Sequence, residues 1–223
     1  MNVLIGDSQS VDASIVHLVT SRPELTSVDI SNSRCTNRSL RWLITQPNLQ
    51  QVRLLESEVT GEYIGPQPQG SKLADLNLSS CGRLTNNGLN NVLAIASQSL
   101  RRLNLSDTKV SLDCIDFDEV RWPNLQELNL SYCKYLSDEA VVNLINASAK
   151  TLRILNLEES NVSLKNIEGN SLYAMLFALT VLATYANIPH NAAENCSHMQ
   201  YAKKIDICKK TAYLKIKSLH LRL

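Results

Sequence analysis

Histidine and cysteine are the side chains of this chain that could form a catalytic or metal-binding site. The 223 residues include four His and six Cys. No histidine lies beside a nucleophile in a recognisable motif, and no CxxC pair is present. A zinc site near the C-terminus would use His190, Cys196, His198 and Cys208, but their spacing matches no common zinc pattern. The sequence therefore predicts no catalytic residue, no metal site and no enzyme.

Composition points away from cofactors and nucleic acid. The seven Gly are scattered and form neither a GxGxxG nor a P-loop motif, the phosphate-binding loops of nucleotide enzymes. Lys and Arg number 22 against 21 Asp and Glu, so the net charge is close to zero. Binding to nucleic acid through overall charge requires a marked basic excess. We expect no cofactor and no nucleic-acid partner.

Polar side chains that recur along the chain are the stronger candidates for a functional surface. Asparagine returns at nearly constant intervals, with charged residues at related positions. Hydrogen bonds and fixed charges of this kind select partners, and they convert no substrate. The candidate binding residues are Asp29, Arg53, Asp75, Asn77, Arg102, Asn104, Glu127, Asn129, Asn156 and Glu158.

A leucine pattern predicts the elements that position these residues. From Leu25, apolar residues follow three and five places later, and the same L-x-x-L-x-L spacing returns from five further anchors. The intervals between anchors are 24, 24, 27, 25 and 27 residues, which indicates a repeat. Alternate residues of such a pattern face one side, so each anchor predicts a short strand with an apolar inner face. The anchors are Leu25, Leu49, Leu73, Leu100, Leu125 and Leu152.

Two further positions of each unit carry small or polar residues. Eight places after the anchors stand Ser33, Ser57, Cys81, Thr108, Cys133 and Ser160. We expect them to turn the chain and to bond free backbone amides. Eleven or twelve places after the anchors stand Thr36, Thr60, Thr85, Ser111, Ser137 and Ser163. Such hydroxyls are typical helix N-caps, so each unit is predicted to be strand, turn and capped helix, with longer and shorter units alternating.

Two of the units resemble a known repeat. Residues 73–89 (LADLNLSSCGRLTNNGL) and 125–141 (LQELNLSYCKYLSDEAV) look like the cysteine-containing leucine-rich repeat. That subtype is best known from F-box/leucine-rich-repeat proteins, the substrate receptors of cullin-based SCF ubiquitin ligases. The resemblance implies an α/β fold: a leucine-rich-repeat solenoid, or horseshoe, with a parallel concave sheet and convex helices. It also implies contact with the Skp1 and cullin machinery through an F-box, which would lie upstream of Met1.

In such a fold the candidate residues share the concave sheet, because they stand two, four or six places after the anchors. Two interpretations of the asparagine column stay open. The amides could bond side by side as a ladder, or form a polar strip that binds a protein segment. In the second interpretation, Arg53, Arg102, Glu127 and Glu158 supply charge selectivity. About seven strands at about 4.8 Å give a surface about 30 Å wide, which suits a protein partner.

Four buried or packed side chains are also predicted. Cys81 and Cys133 occupy the same repeat position and are expected to be buried thiols, too far apart to form a disulfide. Trp42 is expected to pack on the convex helix layer and Trp122 in the loop before Pro123, and the alternative for either is an exposed anchor residue.

The repeat array is predicted to cover residues 1–168 and to start inside a unit, since residues 3–5 align with residues 28–30. A solenoid end needs a polar cap, and none precedes Met1. We therefore expect a fragment, a truncated gene model, or another segment that covers this end.

Residues 169–223 form the second predicted region, a set of degenerate repeats or a divergent tail. Its apolar stretch, residues 172–188, favours either a degenerate repeat strand, with Leu176 in register, or a membrane helix. The N-terminus lacks the pattern of a signal peptide, which favours an intracellular protein, cytoplasmic or nuclear. The predicted function is a protein-interaction module, with substrate recognition for an F-box-type ligase as its specific form. The alternative is a membrane-tethered recognition receptor.

Overall fold

The computed structural model describes residues 8–64, 71–115, 117, 122–148 and 151–162. Several predictions lie outside the described residues. They are the strand at residues 3–5, the hydroxyl of Ser163, the two interpretations of residues 172–188 and the tail histidines and cysteines.

The described residues form helices and short strands in one sheet. The helices are α1 (Ser8–Ser21), α2 (Asn37–Thr45), α3 (Asn86–Ala96) and α4 (Asp138–Ser148). The strands are β1 (Ser27–Asp29), β2 (Gln51–Arg53), β3 (Asp75–Asn77), β4 (Arg102–Asn104), β5 (Glu127–Asn129) and β6 (Ile154–Asn156). All six strands are parallel and follow one another across the sheet in chain order. The predicted α/β class is confirmed, and each strand begins two residues after its predicted anchor.

Neighbouring strands pair without any offset between equivalent positions. Val28 pairs with Val52, and Val52 pairs in turn with Leu76. The middle residue of every strand is buried, while its two neighbours are exposed or half-buried. This alternation is the two-residue period of a strand, and it gives the sheet one apolar and one polar face.

A left-handed residue follows every strand, seven places after the anchor. Its φ lies between 52° and 62° in all six units. In the first five units the amide of this residue donates to a carbonyl of the next unit, as in Asn32 N to Leu55 O at 2.7 Å and Tyr132 N to Glu158 O at 2.8 Å. The six residues are Asn32, Glu56, Ser80, Asp107, Tyr132 and Glu159. Because none of them is glycine, the hydrogen bond between units has to offset the cost of this conformation.

The apolar face of the sheet packs with the helices in one core. Leu76 and Leu128 of the strands lie in the same buried cluster as Leu89 of α3 and Val141 of α4. The anchors are buried with the exception of Leu25, which is half-buried. Full burial of a leucine side chain stabilises by about 1.5–3 kcal/mol, so this recurring leucine set is the main source of stability.

Helices follow only alternate strands. Within the described residues, α2, α3 and α4 come after β1, β3 and β5, whereas no helix follows β2 or β4. The predicted capping role is confirmed for three hydroxyls. Thr36 accepts from Arg38 N at 3.4 Å, Thr85 from Gly88 N at 2.9 Å and Ser137 from Ala140 N at 3.1 Å.

The prediction that Thr60 and Ser111 cap helices was wrong. Their side chains instead accept from asparagines at the starts of the preceding helices: Asn37 Nδ2 to Thr60 Oγ1 is 2.6 Å, and Asn86 Nδ2 to Ser111 Oγ is 3.0 Å. Asn86 Oδ1 also accepts from Ser111 N at 2.8 Å. An asparagine amide both donates and accepts, so it ties down a loop whose polar groups have no helix to satisfy them.

The loop after β2 touches the start of α3 directly. Gly61 and Gly88 meet backbone to backbone, and a Cβ on Gly88 would lie 1.8 Å from the carbonyl oxygen of Thr60. Gly61 also has a left-handed φ of 77°. Glycine is therefore required on both sides of this contact.

Candidate functional site

The candidate binding residues stand on the polar face of the sheet. We call this surface the polar strand face and define it by the first and third residues of the six strands. Its first row, in register, is Ser27, Gln51, Asp75, Arg102, Glu127 and Ile154. Its second row is Asp29, Arg53, Asn77, Asn104, Asn129 and Asn156. The structure thus brings together every predicted candidate except Glu158, which lies two residues beyond β6.

Side-chain hydrogen bonds join the first row across four strands. Ser27 Oγ donates to Gln51 Oε1 at 2.9 Å, and Gln51 Nε2 donates to Asp75 Oδ2 at 2.9 Å. Arg102 completes the series, with Nε and Nη2 each 3.0 Å from Asp75 Oδ2. These bonds fix the orientation of side chains that would otherwise have to be ordered when a partner binds.

Gln51 and Ser27 belong to this network although they were not among the predicted site residues. The signal that could have identified them is their register: both stand two places after an anchor, as Asp75 and Arg102 do. A chain of side chains at equivalent positions of parallel strands is close enough for such contacts.

The charge of Arg102 is already paired within the protein. Its side chain is 53% exposed and that of Asp75 is 17% exposed. An ion pair this open to water contributes about 0–1 kcal/mol, so its main effect is to hold the guanidinium in place. The Arg53 guanidinium makes no hydrogen bond or ion pair with any described residue, and it is the cation of this face best placed to meet a partner.

Asp29 begins the second row as a fixed negative charge. Partial burial raises its pKa, but the hydrogen bonds from Ser31 and the charge of Arg53 together hold the pKa below its ordinary value. Ser31 N lies 3.1 Å and Ser31 Oγ 2.7 Å from Asp29 Oδ1. The adjacent Asp29 and Arg53 give this end of the face opposite charges side by side.

The four asparagines of the second row bond to their own strands and form no ladder across the sheet. In each case Oδ1 accepts from the backbone amide two residues later, at 2.9 or 3.0 Å. Asparagine favours this local bond, which resembles an Asx turn, and it satisfies the amide where the strand ends. The four Nδ2 groups have no acceptor among the described residues. The asparagine column therefore presents a line of hydrogen-bond donors.

The end of each strand differs from the prediction in one respect. Residues six places after the anchors were expected to face outward, yet Ser79 and Ser131 are only 5% exposed. They lie in the turn that follows the strand, where the period of two no longer holds. Glu158 at the equivalent position of the last unit is exposed, as predicted.

A shallow depression of about 330 Å³ lies on the polar strand face. Its lining includes Arg53, Asp75, Arg102, Glu127 and the four asparagines. Because it is open and most of its lining residues carry charged or amide side chains, this surface offers hydrogen bonds and charge, which is the chemistry of recognition.

The two repeat cysteines join consecutive units. Cys81 Sγ donates to Leu54 O at 3.1 Å, and Cys133 Sγ donates to Leu105 O at 3.1 Å, each a carbonyl of the preceding unit. Both side chains are fully buried and free, which confirms the prediction of buried thiols. Burial raises the pKa of both thiols, and it raises that of Cys35 to about 11. All three are held in the unreactive thiol form.

The residues eight places after the anchors were expected to accept hydrogen bonds from loop amides. This expectation holds for Ser33 and fails for the others. Ser33 Oγ accepts from Cys35 N at 3.4 Å. Thr108 and Ser160 instead donate to the carbonyls of Leu105 and Leu157, both at 2.7 Å. The turn leaves carbonyls without strand partners, so a donor is more useful there than an acceptor.

The two tryptophans behave differently. Trp122 is buried, as predicted, and packs near Phe117 with ring centroids 6.4 Å apart. The side chain of Trp42 is 42% exposed on the outer face of α2, so for this residue the structure fits the exposed alternative. The inner face of that helix is already filled by Leu40, Leu43 and Ile44.

Neither a metal cluster nor a membrane span is found where the structure is described. No group of three His, Cys, Asp or Glu side chains in those residues is arranged to hold a metal ion. None of the described helices combines the length and apolar character needed to cross a bilayer.

No protein-family model matches the chain, and no curated protein matches its sequence significantly.

Proposed function

We propose that the chain is a protein-interaction module built as a leucine-rich-repeat solenoid, and that its polar strand face is the binding surface. The observation that carries the proposal is the continuity of this face. Equivalent positions of six consecutive strands form two uninterrupted rows, which are polar except for Ile154. Six strands at about 4.8 Å span about 24 Å, the scale of a protein contact.

The distribution of fixed and unpaired groups supports recognition of a polypeptide. Four residues of the first row are held by hydrogen bonds to one another, while the asparagine Nδ2 groups and the Arg53 guanidinium have no hydrogen-bond acceptor among the described residues. Backbone carbonyls and carboxylates of a partner segment match such donors. The carboxylate of Glu127 adds a negative charge beside Arg102, so charge pattern as well as shape selects the partner.

In its specific form, we propose that the module recognises substrates for an F-box-type SCF ubiquitin ligase. The support is the resemblance of residues 73–89 and 125–141 to the cysteine-containing repeat, together with the way Cys81 and Cys133 join successive units. The genomic sequence upstream of Met1 tests this specific form of the proposal. An F-box encoded upstream of Met1, and binding of that longer product to Skp1, are the expected results; neither would be found in a protein of another class.

The binding surface is tested by affinity purification from cell extract with quantitative mass spectrometry. Arg53→Glu and Glu127→Lys change the charge of the polar strand face. We expect both variants to capture at least tenfold less of the same partner proteins than wild type. Arg101→Glu is the matched control, since Arg101 is exposed but lies outside that face. Retention of all partners by both strand-face variants would refute the proposal.

A further inference from the structure

A second surface lies on the helix side of the molecule, away from the polar strand face. A cleft of about 650 Å³ separates α2 from the loop at residues 60–63. We call it the α2 cleft. The side chains that line it include Arg38, Arg41, Trp42, Thr45, Glu62 and Tyr63.

Two large aromatic side chains are exposed at this cleft. Trp42 is 42% exposed and Tyr63 is 91% exposed. Arg38 and Trp42 are four residues apart and Arg38 and Arg41 three apart, so all three share one face of α2. Tryptophan, tyrosine and arginine are the residue types that most often dominate the energy of protein contacts.

One asparagine of α2 links the two walls of the cleft by hydrogen bonds. Asn37 Oδ1 accepts from Thr60 N and Gly61 N, both at 2.9 Å. Asn37 Nδ2 donates to Thr60 Oγ1 at 2.6 Å and to Glu62 O at 2.9 Å. Four hydrogen bonds therefore fix the loop against the helix before any partner arrives, which lowers the entropy lost on binding.

The equivalent place on α3 shows that the fold does not require these residues. Counting from the N-caps Thr36 and Thr85, the positions of Arg38, Arg41 and Trp42 on α2 correspond to asparagines on α3. The asparagines are Asn87, Asn90 and Asn91. The same frame thus carries a neutral polar surface in one unit and an aromatic, basic surface in the other.

Tyr63 also differs from its counterpart in the next helix-free loop in its backbone conformation. Gly61 and its counterpart Leu112 share a left-handed φ, of 77° and 65°, so that position belongs to the loop itself. Tyr63 also has a left-handed φ of 57°, but its counterpart Cys114 does not. A bulky residue in this conformation is uncommon, and here it presents an almost fully exposed ring.

The charge of the cleft selects the sign of its occupant. Arg38 and Arg41 supply two positive charges. Glu62 carries the one carboxylate among the described lining residues; it accepts a hydrogen bond from Thr85 Oγ1 at 3.0 Å and is directed toward the cap of α3. Arginines therefore outnumber carboxylates among the described lining residues, so a cation would be repelled while a carboxylate would be attracted.

We propose that the α2 cleft binds an acidic peptide segment whose aromatic side chain packs against Trp42 and Tyr63. Arg38 pairs with an acidic residue beside that ring. This site is independent of the function proposed for the polar strand face, and either can stand if the other fails.

Selection from a random peptide library on the full chain tests the proposal. The enriched peptides are then measured against Trp42→Ala and Arg38→Glu. Asn87→Glu is the matched control, since it places the same charge at the equivalent exposed position of α3. Circular dichroism verifies that each variant is folded, as expected for changes to side chains on the outer face of a helix.

The expected result is a class of acidic peptides with one aromatic residue that wild type and Asn87→Glu bind equally. Trp42→Ala and Arg38→Glu should weaken that binding at least tenfold, while Arg53→Glu on the polar strand face should leave it unchanged. Basic or neutral consensus peptides, acidic peptides that both cleft variants retain, or no enrichment at all would overturn the proposal. A dimer in size-exclusion chromatography that Trp42→Ala dissolves would also overturn it, because the occupant would then be a second copy of the chain.

Discussion

Replacing Gly88 by alanine tests the contact between the loop after β2 and the start of α3. A Cβ on Gly88 would lie 1.8 Å from Thr60 O and 2.8 Å from Thr60 C, far inside van der Waals contact. Both neighbours are backbone atoms, so no side chain can rotate away. The two segments would have to separate, which would strain the bond from Thr85 N to Thr60 O, now 3.1 Å long.

The expected effect is a net destabilisation of about 0.5–3.5 kcal/mol. Overpacking costs about 1–3 kcal/mol, and loss of the backbone hydrogen bond about 0.5–1.5 kcal/mol. The better helix propensity of alanine returns about 1 kcal/mol. With a urea dependence of about 1–3 kcal/mol per M, the midpoint of unfolding should fall by roughly 1 M.

Urea unfolding followed by circular dichroism measures the change. Gly82→Ala is the control, because nothing lies within 4 Å of a Cβ at that position. It should be neutral or stabilising by about 0.4–1 kcal/mol, since alanine reduces the freedom of the unfolded chain. A Gly88→Ala variant as stable as wild type would refute the close contact.

Three other outcomes follow from the described contacts. Because folding lowers the pKa of Asp29, its stabilising effect is present at neutral pH and is lost as the pH falls through the folded-state value, below 3.8. Asp29→Asn keeps an acceptor for Ser31, so urea midpoints at pH 7 and pH 3 should differ less in this variant than in wild type. Thr85→Ala should cost about 1 kcal/mol through loss of the α3 cap; an unchanged thermal midpoint would contradict that role. Among the described thiols, native iodoacetamide labelling read by mass spectrometry should mark exposed Cys114 first, and early labelling of Cys81 would contradict its burial.

The strands were predictable because their signal is local and periodic. Each anchor leucine and the two apolar residues after it fall on one face, and that fixes where the strand lies whatever surrounds it. Capping by Thr36, Thr85 and Ser137 was predictable for the same reason, since a hydroxyl before an amphipathic segment acts on its own helix.

The left-handed turn was not predictable from residue type. Glu56 and Tyr132 are poor choices for a positive φ, and no glycine marks the column. What holds the conformation is a bond to the next unit, which only the assembled sheet supplies. The capping prediction for Thr60 and Ser111 was wrong for a similar reason. The asparagine that donates to each of these hydroxyls comes from the preceding unit.

The residues that form the candidate site were predictable, but the hydrogen bonds between them were less so. Register brings Asp75 and Arg102 to adjacent strands, as the spacing required, but the choice of Asp75 as the common acceptor depends on side-chain reach. The exposure of Trp42 was only an alternative at the sequence level, because the helical period alone does not say whether another element covers the outer face of α2.

The order of the strands also has a consequence for how the chain reaches its fold. Every paired strand lies 24–27 residues from its partner, at one end of the sheet as at the other. The entropic cost of closing each such loop is nearly constant, because that cost changes only slowly with loop length. A nascent polypeptide therefore pays a similar loop-closure entropy for each added unit, and no strand has to pair with one that is synthesised much later. Such a molecule is suited to assemble in step with its own synthesis, from the N-terminal side onward.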